Sequence, residues 1–156
     1  MAKWANFFGK TKRTLFNQCL SNRRLIELVV ENTPAQGKIL EAGCGTAMLS
    51  LLLADSGYDV TALDYTEEVL EYARKRCCLN SVKLDFIRGD IFDLSSYFEP
   101  YQFDTICHSG VLEHFSDDNI ILASEKQACK TANKDDNTFS RNFIRMVWIH
   151  ILLIVG

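Results

Sequence analysis

Short apolar runs and segments with helical periodicity alternate along the chain from Leu25 onward, and this rhythm constrains the fold more than any other feature. Apolar runs at 38–42, 59–64, 82–88 and 103–107 predict four strands. Strands that alternate with helices in sequence are typical of βαβ units around a parallel sheet. The chain is therefore predicted to be an α/β protein with a mainly parallel sheet.

Three helical segments accompany these runs. Apolar residues spaced at one helical turn between Ser21 and Asn32 predict a helix that Pro34 ends, because proline disfavours helical backbone in the residue before it. A strongly apolar segment at 46–56 predicts a second helix, and Thr66, followed by two glutamates, predicts the start of a third. The second and third helices would then connect successive parallel strands by right-handed crossovers.

The length and charge of the chain limit what it can be. Its 156 residues, 47% of them hydrophobic, can bury one core but not two. We predict three regions: an N-terminal arm at 1–21, a folded domain at 22–123 and an atypical tail at 124–156. The net charge of -3 gives no overall basic field, so no nucleic-acid partner is expected.

The pattern of strands and helices degrades after about Ala123. Residues 126–145 are mostly polar or charged, whereas 143–155 is apolar apart from Arg145 and His150. That last stretch is shorter than the roughly 20 residues that a membrane-spanning helix needs. We predict a fifth strand or an extra helix in the tail, and no stable membrane span.

The six cysteines indicate a cytoplasmic protein. They form no Cys-x-x-Cys pair, no Cys-His cluster with zinc spacing and no framework of a small disulfide-rich domain. Reduced thiols and the absence of a bound metal are the corresponding expectations.

The segment Ile39–Ala47, ILEAGCGTA, carries the strongest functional signal. An acidic residue, Glu41, ends a buried strand, and a glycine turn then leads into a helix. Gly43 and Gly45 lack a Cβ, so the backbone there can adopt unusual angles and let a ligand approach its amides. We predict a ligand cradle at this turn.

Two further acidic residues lie at or just after the carboxyl ends of the next two predicted strands. Asp64, at the end of the second, is placed to accept hydrogen bonds from ribose hydroxyls, and Asp90, after the third, to accept one from an adenine amine. A nicotinamide dinucleotide is disfavoured, because its GxGxxG fingerprint requires glycine at the position of Met48. Because the carboxyl ends of parallel strands meet at one edge, the acidic residues should face one crevice.

This combination resembles the class I S-adenosylmethionine-dependent methyltransferases, whose glycine motif is acidic-x-Gly-x-Gly-x-Gly. Here the motif reads Glu41 to Ala47, with Ala47 in place of the third glycine. The resemblance implies that Glu41 orders the loop near the methionine ammonium group, that the loop faces the amino-acid portion, and that the two aspartates face ribose and adenine. The implied cofactor-binding residues are Glu41, Gly43, Cys44, Gly45, Asp64, Tyr65, Asp90, Ile91 and Ser109.

The segment 103–115, FDTICHSGVLEHF, is similar to the fourth motif of this family, which lies beside the methionine group. His108, Glu113 and His114 are candidates for a base that takes a proton from the acceptor. Methyl transfer from a sulfonium depends mainly on positioning, so a catalytic base is optional. Glu113 and His114 are similar to a metal-binding pair of ubiquinone-pathway O-methyltransferases, but Gly110 replaces the carboxylate found there, so no metal is predicted.

The resemblance also sets expectations for the fold. It covers roughly 22–123 and implies a Rossmann-like three-layer sandwich with strand order 3-2-1-4, extended by a fifth strand if the tail supplies one. The family continues to seven strands in the order 3-2-1-4-5-7-6, so we expect a truncated or frame-shifted product after about residue 123. An exposed edge at the fourth strand would favour a dimer.

The arm at 1–21 has two interpretations. No acidic residue precedes Glu27, whereas six lysines and arginines do, with aromatic residues between them. Such a pattern is compatible with binding to anionic lipid or nucleic acid. Because family members commonly carry a helix here that closes over the substrate, we favour a lid.

The resulting functional hypothesis is an S-adenosylmethionine-dependent methyltransferase that acts on a small-molecule acceptor, with oxygen and nitrogen acceptors both open. The alternative is a non-catalytic methyltransferase-like module that retains the cofactor site.

Overall fold

The computed structural model describes residues 23–111 together with Phe115, Ser116 and Asn119. The arm at 1–21 and the tail at 124–156 lie outside the described residues, so the three predicted regions stay a prediction. The elements in chain order are α1 (Arg23–Asn32), β1 (Lys38–Ala42), α2 (Met48–Asp55), β2 (Asp59–Asp64), α3 (Glu67–Asn80), β3 (Asp85–Arg88), a 3-10 helix (Ile91–Ser96) and β4 (Thr105–Cys107).

The four described strands form one parallel sheet in the order β3-β2-β1-β4. In the register, Leu40 of β1 lies opposite Thr61 of β2 on one side and Ile106 of β4 on the other. The strands β2 and β3 are thus added in succession on one side of β1, and β4 is added on the other side. The predicted α/β class and the order 3-2-1-4 are confirmed.

The predicted bounds of β1 and β2 agree with the structure, but β3 and β4 are shorter than predicted. The sequence placed β3 at 82–88, whereas it begins at Asp85. The reason is the end of α3: Ser81 adopts left-handed backbone with φ of 54°, and the amide of Val82 donates to the carbonyl of Cys77. Val82 therefore completes the helix terminus.

Alternate residues of the strands fill two cores on opposite faces of the sheet. On one face, Ile39 and Val60 pack with apolar residues of α1 and α2, such as Ile26. On the other face, Leu40 and Leu63 lie in a cluster with residues of the 3-10 helix and with two phenylalanines that follow it. The sheet is therefore covered on both faces, and its carboxyl edge is left to form the site.

No helix among the described residues is long and apolar enough to cross a membrane.

Candidate functional site

A cavity of about 720 Å³ lies at the carboxyl edge of the sheet. Most of its lining lies at the carboxyl ends of the four strands, at 43–46, 64–66, 89–92 and 109–111. The remainder comes from Glu41, Met48, Leu49 and Phe115. All nine residues that the sequence indicated as cofactor-binding are among the lining residues. Strand order explains the convergence, because the carboxyl ends of parallel neighbours meet at one edge.

The glycine loop is tied to the end of β2 by its own amides. The amides of Gly43 and Cys44 both donate to the carbonyl of Leu63, at 2.8 and 2.9 Å, and the amide of Gly45 donates to Asp64 Oδ2 at 2.8 Å. The sequence had indicated these amides as groups that a ligand approaches. In this structure they donate within the protein instead, which fixes the loop against β2.

Gly43 and Gly45 are needed for different reasons. Both have positive φ, of 77° and 52°. A Cβ on Gly43 would lie 2.5 Å from Cγ2 of Val111, whereas a Cβ on Gly45 would meet no atom within 4 Å. Gly43 is therefore required by close packing as well as by backbone conformation, and Gly45 by conformation alone.

Ala47 stands where the family motif has its third glycine, and its backbone is left-handed, with φ of 51° and ψ of 37°. It precedes the first residue of α2, and its side chain caps no amide of that helix. The side chain is fully buried in a cluster with Ala62 and Leu70. The burial of its methyl group offsets part of the cost of this conformation.

Glu41 is a buried carboxylate at the floor of the site, with 3% of its surface exposed. Its Oε2 accepts hydrogen bonds from the amide of Ser50, at 2.9 Å, and from the Ser50 hydroxyl. Burial raises the pKa of Glu41 to about 7, and it does so against the two hydrogen bonds from Ser50, which lower that pKa. The negative charge of Asp64 adds a smaller upward contribution to the same pKa.

Asp64 and Asp90 both line the cavity while serving the local backbone. Asp64 Oδ1 accepts from the amide of Thr66 at 2.9 Å, in addition to the Gly45 bond on Oδ2. Asp90 Oδ1 accepts from the amide of Phe92 at 2.8 Å and so caps the 3-10 helix. Carboxylate oxygens can each accept more than one hydrogen bond, so both groups keep acceptor capacity toward the cavity.

Phe92 and Phe115 form an apolar wall that the sequence reasoning missed. Their rings meet edge to face, with centroids 4.9 Å apart and planes at 86°, and both line the cavity. Phe92 follows directly after the predicted pair Asp90 and Ile91, so its position in the sequence could have indicated it. The contact between the two rings joins segments more than 20 residues apart, and no local pattern predicts it.

The candidate bases are not equally placed. His108 is buried, with 5% of its surface exposed, and it does not line the cavity, whereas the next two residues, Ser109 and Gly110, do. Glu113 and His114 lie outside the described residues. Within the described part of the chain, no group of three or more metal-ligating side chains occurs.

Comparison with known proteins agrees with this geometry. A family model described as a methyltransferase domain matches residues 39–145. The ubiquinone biosynthesis O-methyltransferase of Actinobacillus pleuropneumoniae serotype 5b (strain L20) is 33% identical over 123 residues, which are 76% of this chain and 51% of that protein. A putative methyltransferase of Bacillus subtilis (strain 168), YqeM, is 31% identical over 74 residues, 47% of this chain and 30% of that protein.

Solved structures share the fold. An S-adenosylmethionine-dependent methyltransferase from Clostridium acetobutylicum ATCC 824 superposes with a TM-score of 0.59 at 22% identity, over 70% of this chain and 44% of that one. The PH0226 protein from Pyrococcus horikoshii OT3 gives a TM-score of 0.65 at 22% identity, over 78% and 55%. The chain spans about half the length of the ubiquinone biosynthesis O-methyltransferase that it matches. From the matched domain, the sheet order and the motif, the chain belongs to the class I S-adenosylmethionine-dependent methyltransferases.

Proposed function

We propose that this chain binds S-adenosylmethionine in the cavity of about 720 Å³ and transfers the methyl group to a small-molecule acceptor. The observation that carries the proposal is the convergence of three carboxylates on this one cavity. Glu41, Asp64 and Asp90 belong to β1, to the end of β2 and to the turn after β3, and all three line it.

Each carboxylate matches one part of the cofactor. In the proposal, Glu41 faces the methionine ammonium group, Asp64 the ribose hydroxyls, and Asp90 the adenine amine. Ile91 lies against the adenine ring, and Ser109 lies near the methionine portion. The three carboxylate contacts pair ionised groups of the protein, which only accept hydrogen bonds, with donor groups of the ligand.

Two further observations fit a cationic, adenosine-bearing ligand. Glu41 is buried, and none of the described lysines and arginines forms an ion pair with it, so a positive group in the cavity would stabilise its ionised form. At Gly45 the cradle has open space where a Cβ would stand, which lets a ligand lie against the loop. The described residues therefore fit the cofactor.

Methyl transfer from a sulfonium depends mainly on the positioning of the methyl donor and the acceptor. When bound, the cofactor supplies a methyl group on a positively charged sulfur that is already a good leaving group. Carboxylates of this chain hold the ligand at both ends. The apolar wall of Phe92 and Phe115, together with Val111, keeps water from part of the cavity. Where the acceptor needs proton removal, Glu113 and His114 are the proposed bases, whereas His108 is buried and does not line the cavity.

An oxygen acceptor is supported by the name of the relatives at 33% and 32% identity, ubiquinone biosynthesis O-methyltransferase. The second candidate function is a non-catalytic module that keeps the cofactor site. It differs from the first only in turnover, so one set of measurements separates them.

Calorimetric titration with S-adenosylhomocysteine tests the proposal, followed by methyl-transfer assays with labelled S-adenosylmethionine on phenols, other alcohols and amines. We expect saturable binding with one site and transfer to a hydroxyl-bearing acceptor. Binding without transfer to any acceptor would support the non-catalytic module. Binding of NADH in place of S-adenosylhomocysteine would overturn both candidates.

The location and assembly of the chain are also proposals. We place it in the cytoplasm, which the free state of the four described cysteines, Cys44, Cys77, Cys78 and Cys107, supports. Among the described residues β4 pairs only with β1, so its outer edge is a candidate dimer contact. Light scattering of the purified full chain distinguishes a monomer from a dimer.

A further inference from the structure

Ser50 occupies a special position in α2. The helix begins at Met48, and its first intrahelical hydrogen bond runs from the amide of Leu51 to the carbonyl of Ala47. The amide of Ser50 therefore has no carbonyl partner within the helix, as is usual in a first turn. Ala47, the residue before the helix, has no side chain that could cap this amide. Glu41 caps it instead, from the neighbouring strand β1.

The hydroxyl of Ser50 strengthens this link. It donates to the same oxygen, Oε2, that accepts from the Ser50 amide. Both donors are fully buried with Ser50, so the two bonds are shielded from water. One residue thus uses two donors, its backbone amide and its hydroxyl, to hold one oxygen of a carboxylate that lines the cavity.

The other oxygen of Glu41 is left for a ligand. Within the described part of the chain, Oε1 accepts no hydrogen bond and the carboxylate has no cationic partner. The titratable groups that face it are Asp64 on β2, Cys44 in the glycine loop and Cys107 on β4. None of these supplies a positive charge, so the surroundings favour the neutral form of Glu41 except for the two bonds from Ser50.

We propose that Ser50 is a positioning residue that orients the Glu41 carboxylate and favours its ionised form, so that the chain takes up a ligand ammonium group in a proton-linked step. This inference rests on the proposed cofactor site and adds to it the residue that tunes the carboxylate. Ligand binding would then favour the ionised form, and affinity would fall as the solution becomes acidic. The neutral form of Glu41 lacks the charge that attracts an ammonium group.

The first test needs no ligand. Carbon-13 NMR of the full chain reports the titration of the Glu41 carboxyl, which the variant Glu41→Gln assigns. Because the hydroxyl bond favours the ionised form, Ser50→Ala should raise the titration midpoint of Glu41 by about one pH unit, and Ser50→Cys, a weaker donor of similar size, by less. The matched control is Ser56→Ala, which removes a hydroxyl whose one hydrogen bond within the described part of the chain is to the Leu52 carbonyl of the same helix.

The second test uses two ligands that differ in the ammonium-bearing part. S-adenosylhomocysteine carries an amino-acid end, and 5'-deoxy-5'-methylthioadenosine has the same adenosine and sulfur without it. With the midpoint of Glu41 near 7, a rise of one unit lowers the ionised fraction at pH 7 about fivefold, and Ser50→Ala should weaken S-adenosylhomocysteine by that factor. The affinity of the variant for S-adenosylhomocysteine should recover toward the wild-type value as the pH is raised from 7 to about 8.5, and the methylthioadenosine affinity should stay unchanged.

The outcomes separate this inference from the proposed function. If Glu41 titrates at the same pH in the wild type and in Ser50→Ala, Ser50 does not tune the carboxylate and the inference is overturned. If wild-type affinity for S-adenosylhomocysteine does not depend on pH between 6 and 8, the proton-linked step is wrong. If the wild type binds neither ligand, the proposed function fails, while the ligand-free titration still decides the role of Ser50.

Discussion

The carboxylate of Asp64 accepts a hydrogen bond from the amide of Gly45, with 2.8 Å between Oδ2 and the nitrogen. Its other oxygen accepts from the amide of Thr66. A single side chain at the end of β2 therefore joins the glycine loop to the start of α3. Because Asp64 also lines the cavity, the residue proposed to bind ribose is the residue that shapes the loop beside it.

Replacement of Asp64 should reduce affinity more than stability. Asp64→Asn keeps the size of the side chain but replaces one acceptor oxygen by a donor, which faces either a backbone amide or a ribose hydroxyl. We expect a 10- to 100-fold loss of S-adenosylhomocysteine affinity, from about 1.5–3 kcal/mol of charged hydrogen bonding. Calorimetry measures the loss, and thermal unfolding checks that the variant is folded.

Asp59→Asn is the matched control for this variant. Asp59 is the exposed first residue of the same strand, at the end of β2 away from the cavity. Its replacement should leave affinity unchanged. An unaltered affinity in folded Asp64→Asn would contradict the ribose assignment and leave Asp64 with a structural role alone.

The two loop glycines should respond differently to an added methyl group. Gly45→Ala meets only the backbone cost of left-handed φ, about 1 kcal/mol, because no atom lies within 4 Å of the new Cβ. Gly43→Ala adds a clash with Val111, whose branched side chain is stiff, and should cost about 1–3 kcal/mol more. Urea unfolding of each variant gives these differences.

The contact with Val111 can be tested directly by a double-mutant cycle. Val111→Ala removes the methyl groups that a Cβ on Gly43 would meet, so the double variant should be more stable than the sum of the single changes implies, by about 1 kcal/mol or more. Purely additive effects would mean that backbone conformation alone requires glycine at position 43.

The parts of the fold that the sequence predicted correctly are those that local pattern determines. The bounds of β1 and β2 agree with the structure, because both strands are apolar runs whose ends are marked by glycines or acidic residues. The crevice was predictable for the same reason: the ends of parallel strands share one edge, so Glu41, Asp64 and Asp90 had to converge.

The parts that the sequence left open depend on contacts between distant residues. The hydrogen bonds from the loop amides to Leu63, the packing of Val111 on Gly43 and the edge-to-face contact of Phe92 with Phe115 join segments that local periodicity does not relate. The start of β3 was misplaced because an apolar run does not reveal that Val82 completes the end of α3. These features require the tertiary structure.

Two residues with left-handed backbone should respond differently to replacement by glycine. Ser81, at the end of α3, is exposed with φ of 54°, so Ser81→Gly relieves conformational cost and should stabilise the chain by about 0.5–1 kcal/mol. Ala47 has similar backbone but a buried methyl group, worth about 0.8 kcal/mol. Ala47→Gly should therefore change stability by less than about 0.5 kcal/mol. Chemical denaturation of both variants checks this contrast, and a clear gain in Ala47→Gly would show that its methyl group contributes little.

The buried carboxyl of Glu41 should make stability depend on pH. Its pKa of about 7 in the folded chain exceeds the ordinary value of 4.5, so the folded state binds this proton more tightly than the unfolded state. Glu41 then contributes most to stability below pH 4.5, and that contribution is lost as the pH rises through 7, by about 3 kcal/mol in total. In Glu41→Gln this loss disappears, so the free energy of unfolding, measured by urea titration at pH 5, 6, 7 and 8, should fall less steeply than in the wild type.

Glu27 provides a control, because its pKa is shifted in the opposite direction from that of Glu41. Hydrogen bonds and charge from Arg23 and Arg24 lower the pKa of this carboxyl, with a smaller opposing effect of burial, so its contribution to stability is lost only as the pH falls below about 4.5. Glu27→Gln should therefore leave the slope between pH 5 and 8 as it is in the wild type. Equal slopes in the wild type and in Glu41→Gln would mean that Glu41 ionises in the folded chain as readily as in the unfolded one. The hydrogen bonds from Ser50 would then compensate fully for its burial.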